Sequence, residues 1–386
     1  MTKKRVLALG AGAMGTIAAA TIASFEEVES VIIADLDLKA AQQKAALCGD
    51  KARGTGIDVT NRSELVALMR QADVVMNCVG PFFRFGVTVF KAALEAGIDY
   101  LDICDDPEPT KAMHELNNRA QAAGITAIVG LGASPGITSM LAARARAELD
   151  RTEELVAGWN IEEDAGGDER VAYSAAAVHW MQQCSGTILE CDRGKLVEHQ
   201  PLSDVTLEYP GRGTRVVYTV GHPEPVSFHY SFPDLPRSYC VMVMPGAWIG
   251  SFRRLASQID QSRLTLEEAA QILAEDSAQS SSESKRVAGT PRLPLFFALA
   301  KGAKDGRPAL VATSIKATPP GMANATGIPL ALGTRLLLQG RVTNKGVIAP
   351  EIAFNAEEFF QRLAPYCTFP MPLKTSELIE VVVSRG

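Results

Sequence analysis

Near the amino terminus the apolar residues fall in short unbroken runs separated by helical stretches. Arg5–Leu9 and Ser30–Ala34 read as strands buried on both faces, with an alanine-rich helix, Thr16–Ser24, between them. The alternation continues through a helix at about Lys39–Leu47 and a strand at Lys51–Gly56. Asn61 and Glu64 then form a capping box that opens the next helix. A strand at Asp73–Cys78 breaks at Gly80-Pro81, and a helix over Gly86–Ala96 stops at Gly97. Tyr100–Cys104 is the fifth strand. Asp106-Pro107 caps a helix running to Gly124, and Ile125–Val129 is the sixth strand. Strands joined by helical crossovers predict an α/β fold, a Rossmann doubly wound parallel sheet with its ligand crevice at the strands' carboxyl ends.

Beyond Asp150 the pattern changes. Glu154–Ile161, Arg215–Gly221, Ser238–Pro245 and Pro308–Ala317 read as longer strands of a second, mixed-sheet α+β domain. Helices come between them, notably Thr265–Asp276, where Thr265 and Glu268 repeat the capping box. Ser277–Lys285 is polar and reads as an exposed loop. Ile328–Gln339 is too apolar to be anything but a buried helix, with Pro329 in its first turn, and Asn355 caps another to Leu363. The expected division is a Rossmann domain over 1–137, a substrate and dimerisation domain over 138–320, and a segment over 321–386 that partly returns to the first.

The loop between the first strand and the first helix is Gly10-Ala11-Gly12-Ala13-Met14-Gly15, and the second strand ends at Asp35. A G-x-G-x-x-G so placed, with an acid about 20 residues on, is a dinucleotide fingerprint. Gly10 permits the turn, Gly12 lets the backbone approach a pyrophosphate, and Gly15 lets helix and strand pack closely. The helix N-terminus faces the phosphate charge. Asp35 would accept from the adenosine ribose hydroxyls and repel a 2′-phosphate, which favours NAD over NADP. No arginine stands beside it; Lys39 is the nearest following cation.

A chain of 386 residues, 47% apolar and 21% charged, accommodates two or three domains. A net charge of −6 without a basic block argues against nucleic acid or an anionic membrane as partner. Lys3-Lys4-Arg5 precedes a strand rather than a signal segment, and no apolar run approaches the ~20 residues of a membrane helix, so a cytoplasmic protein is expected. The cysteines at 48, 78, 104, 184, 191, 240 and 367 form no C-x-x-C pair, which indicates neither a disulfide framework nor a metal site.

From Asn77-Cys78-Val79-Gly80-Pro81-Phe82 onward the chain resembles the saccharopine dehydrogenase family, which includes lysine 6-dehydrogenase and carboxynorspermidine dehydrogenase. The resemblance continues at Tyr100-Leu101-Asp102, Gly132-Ala133-Ser134-Pro135-Gly136-Ile137, Cys184-Ser185-Gly186-Thr187 and Gly221-His222-Pro223-Glu224-Pro225. It reappears at Gly321-Met322-Ala323, Thr326-Gly327, Gly346-Val347 and Pro350-Glu351. It implies reversible oxidation of a C–N bond in an amino-acid-derived amine, with NAD or NADP as hydride acceptor, and a homodimer. By the same resemblance Cys78, Val79 and Gly80-Pro81-Phe82 line the nicotinamide ribose, Asp58-Val59 flank the adenine, and Ser134 and Gly136 approach the nicotinamide.

Oxidising an amine needs a group to take its proton. His179 is preferred among the five histidines, since Trp180 beside it would supply a desolvated wall; His222 is the other that could project into a cleft. His114 sits mid-helix, and His199 and His229 have no supporting pattern. Asp102 and Cys104, at the end of the fifth strand, are further candidates for proton transfer, while Asp106 better fits a helix cap. A substrate carboxylate calls for arginine: Arg237, Arg215, Arg212 and Arg84 are candidates, with Glu224 for an ammonium group. A lysine 6-dehydrogenase-like deaminase and a catalytically inactive NAD(H)-sensing protein stand as alternatives.

Overall fold

The short apolar runs of the first third form strands that are largely buried, apart from the half-exposed edge strand Ala52–Gly56. They are β1 (Lys4–Leu9), β2 (Val28–Asp35), β3 (Ala52–Gly56), β4 (Val74–Asn77), β5 (Asp99–Asp102) and β6 (Thr126–Ile128). The middle of the chain supplies β7 (Arg151–Asn160), β8 (Ile188–Asp192), β9 (Lys195–His199), β10 (Asp204–Tyr209), β11 (Gly213–Thr219), β12 (Arg237–Val243), β13 (Phe296–Lys304) and β14 (Arg307–Ile315). The last two are β15 (Gly346–Ile348) and β16 (Ile379–Arg385). This computed structural model describes residues 3–164, 175–280, 292–368 and 377–385.

One sheet has the order β15-β6-β5-β4-β1-β2-β3. Its pairings are all parallel, and reversal of strand order beside β1 makes the switch point of a Rossmann sheet. The second sheet runs β10-β11-β12-β7-β13-β14-β16, with β8 added to β12 and β9 to β8. It is mixed: β7 is parallel to β12 and antiparallel to β13. The chain divides into two compact units, Met1–Ala143 with Lys316–Ile379, and Arg144–Ile315 with Glu380–Gly386. The expected 137/138 and 320/321 boundaries therefore move by several residues, and the end of the chain joins the second sheet rather than the first.

Several expected elements change length. The helix after Pro81 begins at Phe82 rather than Gly86, because Pro81 occupies its N-cap. The expected helix from Asp106 to Gly124 is two, Pro107–Glu115 and Asn117–Ala122, with Leu116 between them. The helix after Thr265 runs to Ser280, into the stretch expected as a loop; 281–285 lie outside the described residues.

The apolar carboxy-terminal helix spans Met322–Leu338, so Pro329 lies inside it and not in its first turn. Proline has no N–H to give the carbonyl four residues back, an interior cost of about 3 kcal/mol. Burial offsets this: every residue from Ala325 to Thr334 is buried, and each large aliphatic side chain so placed contributes about 2 kcal/mol. The helix lies against Ala13–Ala23, the helix of the glycine loop. At Gly327 a Cβ would come within 2.6 Å of the Met14 carbonyl oxygen and 3.0 Å of Ala18 N.

Gly327→Ala should therefore destabilise the protein by about 1–3 kcal/mol, the usual range for overpacking. Denaturant midpoints of the two proteins check this. An unchanged midpoint would show that the helix pair can part without loss.

Candidate functional site

The glycine loop is held from two sides. Gly10 N donates to Ala34 O of β2 at 2.8 Å, and Cys78 N donates to Leu9 O at 2.8 Å. Gly10 has φ +93°, and a Cβ there would lie 2.8 Å from the Cys78 carbonyl oxygen. A Cβ on Gly15 would strike the Gly10 carbonyl. At Gly12, by contrast, a Cβ would meet nothing within 4 Å, so the loop there borders open space. Gly12 caps the helix Ala13–Ala23, whose first turn includes Ala13 and Met14. First-turn N–H groups have no carbonyl inside their own helix and present positive charge outward. Closed at Gly10 and Gly15 and open at Gly12, the loop fits a pyrophosphate.

Asp35 does more than the spacing suggests. Its Oδ2 accepts from Ala11 N at 2.7 Å and its Oδ1 from Asp37 N at 3.0 Å. The carboxylate thus ties the glycine loop to the tip of β2. Asp37 caps the next helix by accepting from Lys39 N and Ala40 N. Leu36, between the two acids, is 77% exposed. Asp58 lies after β3 and accepts from Thr60 N and Oγ1 at 2.8 and 2.6 Å, which holds its carboxyl below the ordinary range. Val59 beside it is buried.

The loops after β4, β5 and β6 meet at one buried carboxylate. Asp102 Oδ1 accepts from Cys104 N at 3.0 Å and Gly130 N at 2.8 Å, and Oδ2 accepts from the Tyr100 hydroxyl at 2.8 Å. The tyrosine oxygen accepts from Asn77 Nδ2 at 2.9 Å, and Asn77 Oδ1 accepts from Val79 N at 3.1 Å. Asn77, Tyr100 and Asp102 are each 0% exposed. Burial raises the Asp102 carboxyl from its ordinary 3.8 to about 6, against the pull of its three donors. Sealed and fully engaged, Asp102 has no route to a substrate proton, so the expectation of proton transfer by Asp102 gives way to a positioning role. Cys104 is likewise buried; desolvation and then the Asp102 charge push its thiol far above the thiolate range, which removes it as a proton carrier. Asp106 is the N-cap of Pro107–Glu115, as expected, but its side chain serves another helix: Oδ2 accepts from Phe83 N at 2.9 Å, at the start of Phe82–Ala96.

That start leaves two side chains outside. Phe83 is 58% exposed, and Arg84 is exposed with its guanidinium 5.0 Å from the Phe85 ring centroid. Among the described residues Arg84 makes no ion pair. Gly80-Pro81 leads into this turn, and Ser134-Pro135-Gly136 leads into the helix Ile137–Arg146; both X–Pro bonds are cis. Ser134 Oγ accepts from Thr138 Oγ1 at 3.2 Å.

In the second unit the candidates are largely bound to each other. Arg215 pairs with Glu162 and also donates to Met244 O at 3.4 Å. Arg237 pairs with Glu154 at 3.0 Å and stacks over Tyr239, and Arg212 pairs with Glu380 at 2.9 Å. Each guanidinium already holds a carboxylate, so Arg215 and Arg237 do not offer the open fork expected for a substrate. His222 Nδ1 is paired with Glu224, at 3% and 0% exposure, and Trp159 packs on the ring at 4.8 Å between centroids. Cys240 donates to Glu224 Oε2 at 3.5 Å, its thiol held far above the usual range by burial and then by that carboxylate. This sealed cluster fastens the Gly221–Pro225 turn to β12 rather than presenting His222 and Glu224 to a ligand. His222, Glu224 and Cys240 bring ligand-type atoms within 4.8 Å of one another, a grouping the cysteine spacing did not foretell. His179 lies on the helix Ala175–Gln183, half-buried.

Residues 6–128 match the family model described as the saccharopine dehydrogenase NADP-binding domain. That stretch, about a third of the chain, is similar to the nucleotide-binding domain of saccharopine dehydrogenases. Carboxyaminopropylagmatine dehydrogenase of Synechocystis is 26% identical over 385 residues, covering 92% of each chain. The saccharopine dehydrogenase-like oxidoreductase of Mus musculus is 36% identical over 76 residues, 19% of this chain and 18% of its own. Among solved structures, saccharopine dehydrogenase (L-Glu forming) from Saccharomyces cerevisiae shares the fold with a TM-score of 0.64 and 17% identity, covering 98% of this chain and 100% of its own. The glycine loop, the family model over 6–128 and the whole-length curated relative together support a saccharopine dehydrogenase-like oxidoreductase that binds a nicotinamide dinucleotide. Among its described residues no helix is long and apolar enough to cross a membrane.

Glu224→Ala strands His222 in a dry interior and should cost about 3–5 kcal/mol of stability, as loss of one partner of a buried pair does. In a double-mutant cycle with His222→Ala the second substitution should cost much less than the first. Additive losses in denaturant unfolding would count against the pair.

Proposed function

We propose that the protein is an NAD-linked dehydrogenase that oxidises the C–N bond of an amino-acid-derived secondary amine. The observation that carries this is the likeness to carboxyaminopropylagmatine dehydrogenase over 92% of both chains, which takes in both units rather than the nucleotide domain alone. That relative's name denotes an amine bearing a carboxyaminopropyl arm, a substrate with both a carboxylate and a nitrogen to be handled. A bound nicotinamide supplies the hydride acceptor for the carbon beside that nitrogen.

The chain's own residues divide the remaining work. The loop Gly10–Gly15 holds the pyrophosphate, and each Asp35 oxygen keeps a second lone pair for a ribose hydroxyl. Leu36 offers an apolar surface to the adenine, beside Val59. Cys78–Pro81 and Ser134–Gly136 flank the nicotinamide end. Arg84, without an ion pair among the described residues and three positions after Pro81, receives the substrate carboxylate; its planar fork suits that group better than a lysine would. His179 takes the amine proton.

NAD is preferred although the family is named for NADP. A 2′-phosphate would meet the Asp35 carboxylate, and Leu36, Asp37 and Leu38 contain no cation to receive it.

NADH should bind at least about tenfold more tightly than NADPH, a difference of about 1.4 kcal/mol. Asp35→Asn keeps an acceptor for Ala11 N while removing the charge, and should narrow that ratio; titration of NADH or NADPH fluorescence measures both. Equal affinities in the wild type would remove the NAD assignment.

Turnover is tested with NAD and three amines: carboxyaminopropylagmatine, saccharopine and lysine. Reduction of NAD with a secondary amine but not lysine supports the assignment; ammonia released from lysine instead would favour a terminal deaminase. Arg84→Ala should raise KM for the amine about tenfold or more while leaving the Kd of NADH unchanged, since charge-assisted hydrogen bonds contribute about 1.5–3 kcal/mol. A KM that does not move would place the carboxylate elsewhere.

A further inference from the structure

The hydrogen bonds that run from Val79 to Asp102 have a fixed direction, and that direction depends on charge. Val79 N–H can only donate, so the amide of Asn77 must turn its Oδ1 toward it. Asn77 Nδ2 is then compelled to donate to the Tyr100 oxygen, and the Tyr100 proton must go on to Asp102 Oδ2. Asp102 Oδ1 receives two further N–H groups, from Cys104 and Gly130. An ionised carboxylate is an acceptor at both oxygens and satisfies all of them. We propose that this chain is a directional relay by which the ionised Asp102 sets the cofactor loop Cys78–Pro81, so that dinucleotide binding requires the Asp102 carboxylate.

Protonation breaks the relay wherever the proton sits. On Oδ1 it faces the N–H groups of Cys104 and Gly130, donor against donor. On Oδ2 it points at the Tyr100 oxygen, and the tyrosine proton loses its acceptor. Turning the tyrosine proton back to Asn77 requires the amide to flip, which sets Nδ2 against Val79 N–H. All three side chains are wholly buried, so water does not take up the orphaned group, and a buried donor left unmade is costly. The loop after β4 relaxes instead. The relay also sets Gly130 and, through the Asp102 carbonyl accepting from Leu131 N at 2.8 Å, the start of the Gly130–Gly136 segment.

The groups facing Asp102 sharpen this dependence. Cys78 in the loop after β4, Tyr100 on β5 and Cys104 beyond it all stay protonated, their pKa values raised first by desolvation and then by the Asp102 charge. Asp105 is the acid that adds to the upward push on Asp102 itself. With the carboxyl at about 6 when folded, against 3.8 ordinarily, the folded chain binds the extra proton between those values. Stability contributed by this group therefore rises as pH falls through that window, while cofactor affinity falls. Loss of binding and loss of fold are thus separated.

The inference rests on the dinucleotide reading, and the test distinguishes the two. NADH affinity is measured by fluorescence titration from pH 8 to pH 5, with circular dichroism at each pH. For the wild type, Kd should rise about tenfold one pH unit below the midpoint, since apparent affinity scales with the competent fraction, while the dichroism is unchanged. Asp102→Asn, which cannot ionise, should bind weakly at pH 8 and show no pH dependence across this range. Tyr100→Phe cuts the link between Asp102 and Asn77 and should likewise bind weakly at pH 8, with little pH dependence across this range. A wild-type Kd that is flat from pH 8 to pH 5, or an Asp102→Asn protein that keeps the wild-type profile, would overturn the relay. If Asp102→Asn fails to fold, Tyr100→Phe decides: wild-type affinity and pH profile in that variant overturn the relay as well. Absence of NADH binding by the wild type at pH 8 would overturn the dinucleotide reading itself, and the relay with it.

Discussion

The loops that leave the carboxyl edge of a parallel sheet carry backbone N–H groups that need acceptors, and loops shaped around a ligand site cannot all find them in one another. Here one carboxylate meets that need for the central strands. Asp102 accepts from the backbone of the loops after β5 and β6, and through Tyr100 and Asn77 it reaches the loop after β4. Glycine-loop geometry depends on the same edge, since Gly10 packs against the Cys78 carbonyl. The loop that would cradle a pyrophosphate and those that would flank a nicotinamide are therefore built on one hydrogen-bonded floor. A charge in that floor costs desolvation, and its use is geometric: an acceptor at both oxygens, which no neutral side chain of this size offers.

How much of this was legible in the sequence follows from what each residue type can report. The fingerprint was legible because its glycines are steric requirements: Gly10 and Gly15 have no room for a Cβ, and Gly12 borders open space. Asp102 was noticed, yet given a different task, because a sequence shows that an acid ends a strand but not whether it is sealed. A signal for the relay was present all the same. Tyr100 and Asp102 stand two apart on one strand, hence on one face, and Asn77 closes the neighbouring strand in register with Asp102. Polar residues ending adjacent apolar strands are placed to meet. The carbonyl assignments that orient them are tertiary and leave no mark on spacing.

The second unit was harder to read for a different reason. Strands such as β9, Lys-Leu-Val-Glu-His, and β10, Asp-Val-Thr-Leu-Glu-Tyr, have charged residues on their exposed positions and few buried ones. Short half-exposed strands of this kind lack the continuous apolar run that marked the parallel sheet. The arginines and His222 illustrate the same limit at the level of side chains. Spacing identifies them as able to bind an anion or carry a proton, but the partners that occupy them, Glu162, Glu154 and Glu224, lie 53, 83 and 2 positions away. Only the last of these is near enough in sequence to suspect.

Two carboxylates at the same sheet edge therefore act in opposite physical regimes. Asp35 is partly exposed at the tip of β2, so its repulsion of a 2′-phosphate is a solvent-screened interaction that weakens as salt is added. Asp102 is enclosed, so its interactions are little screened, and proton concentration rather than ionic strength controls them. Taken together, the two proposals assign cofactor choice and cofactor affinity to separate acids that answer to separate variables. On those proposals a change in salt would act on which dinucleotide is preferred, and a change in pH on whether the loops are in place to receive either. In that reading the acid that discriminates joins the glycine loop to its own strand tip, while the acid that organises three loops is buried away from the ligand.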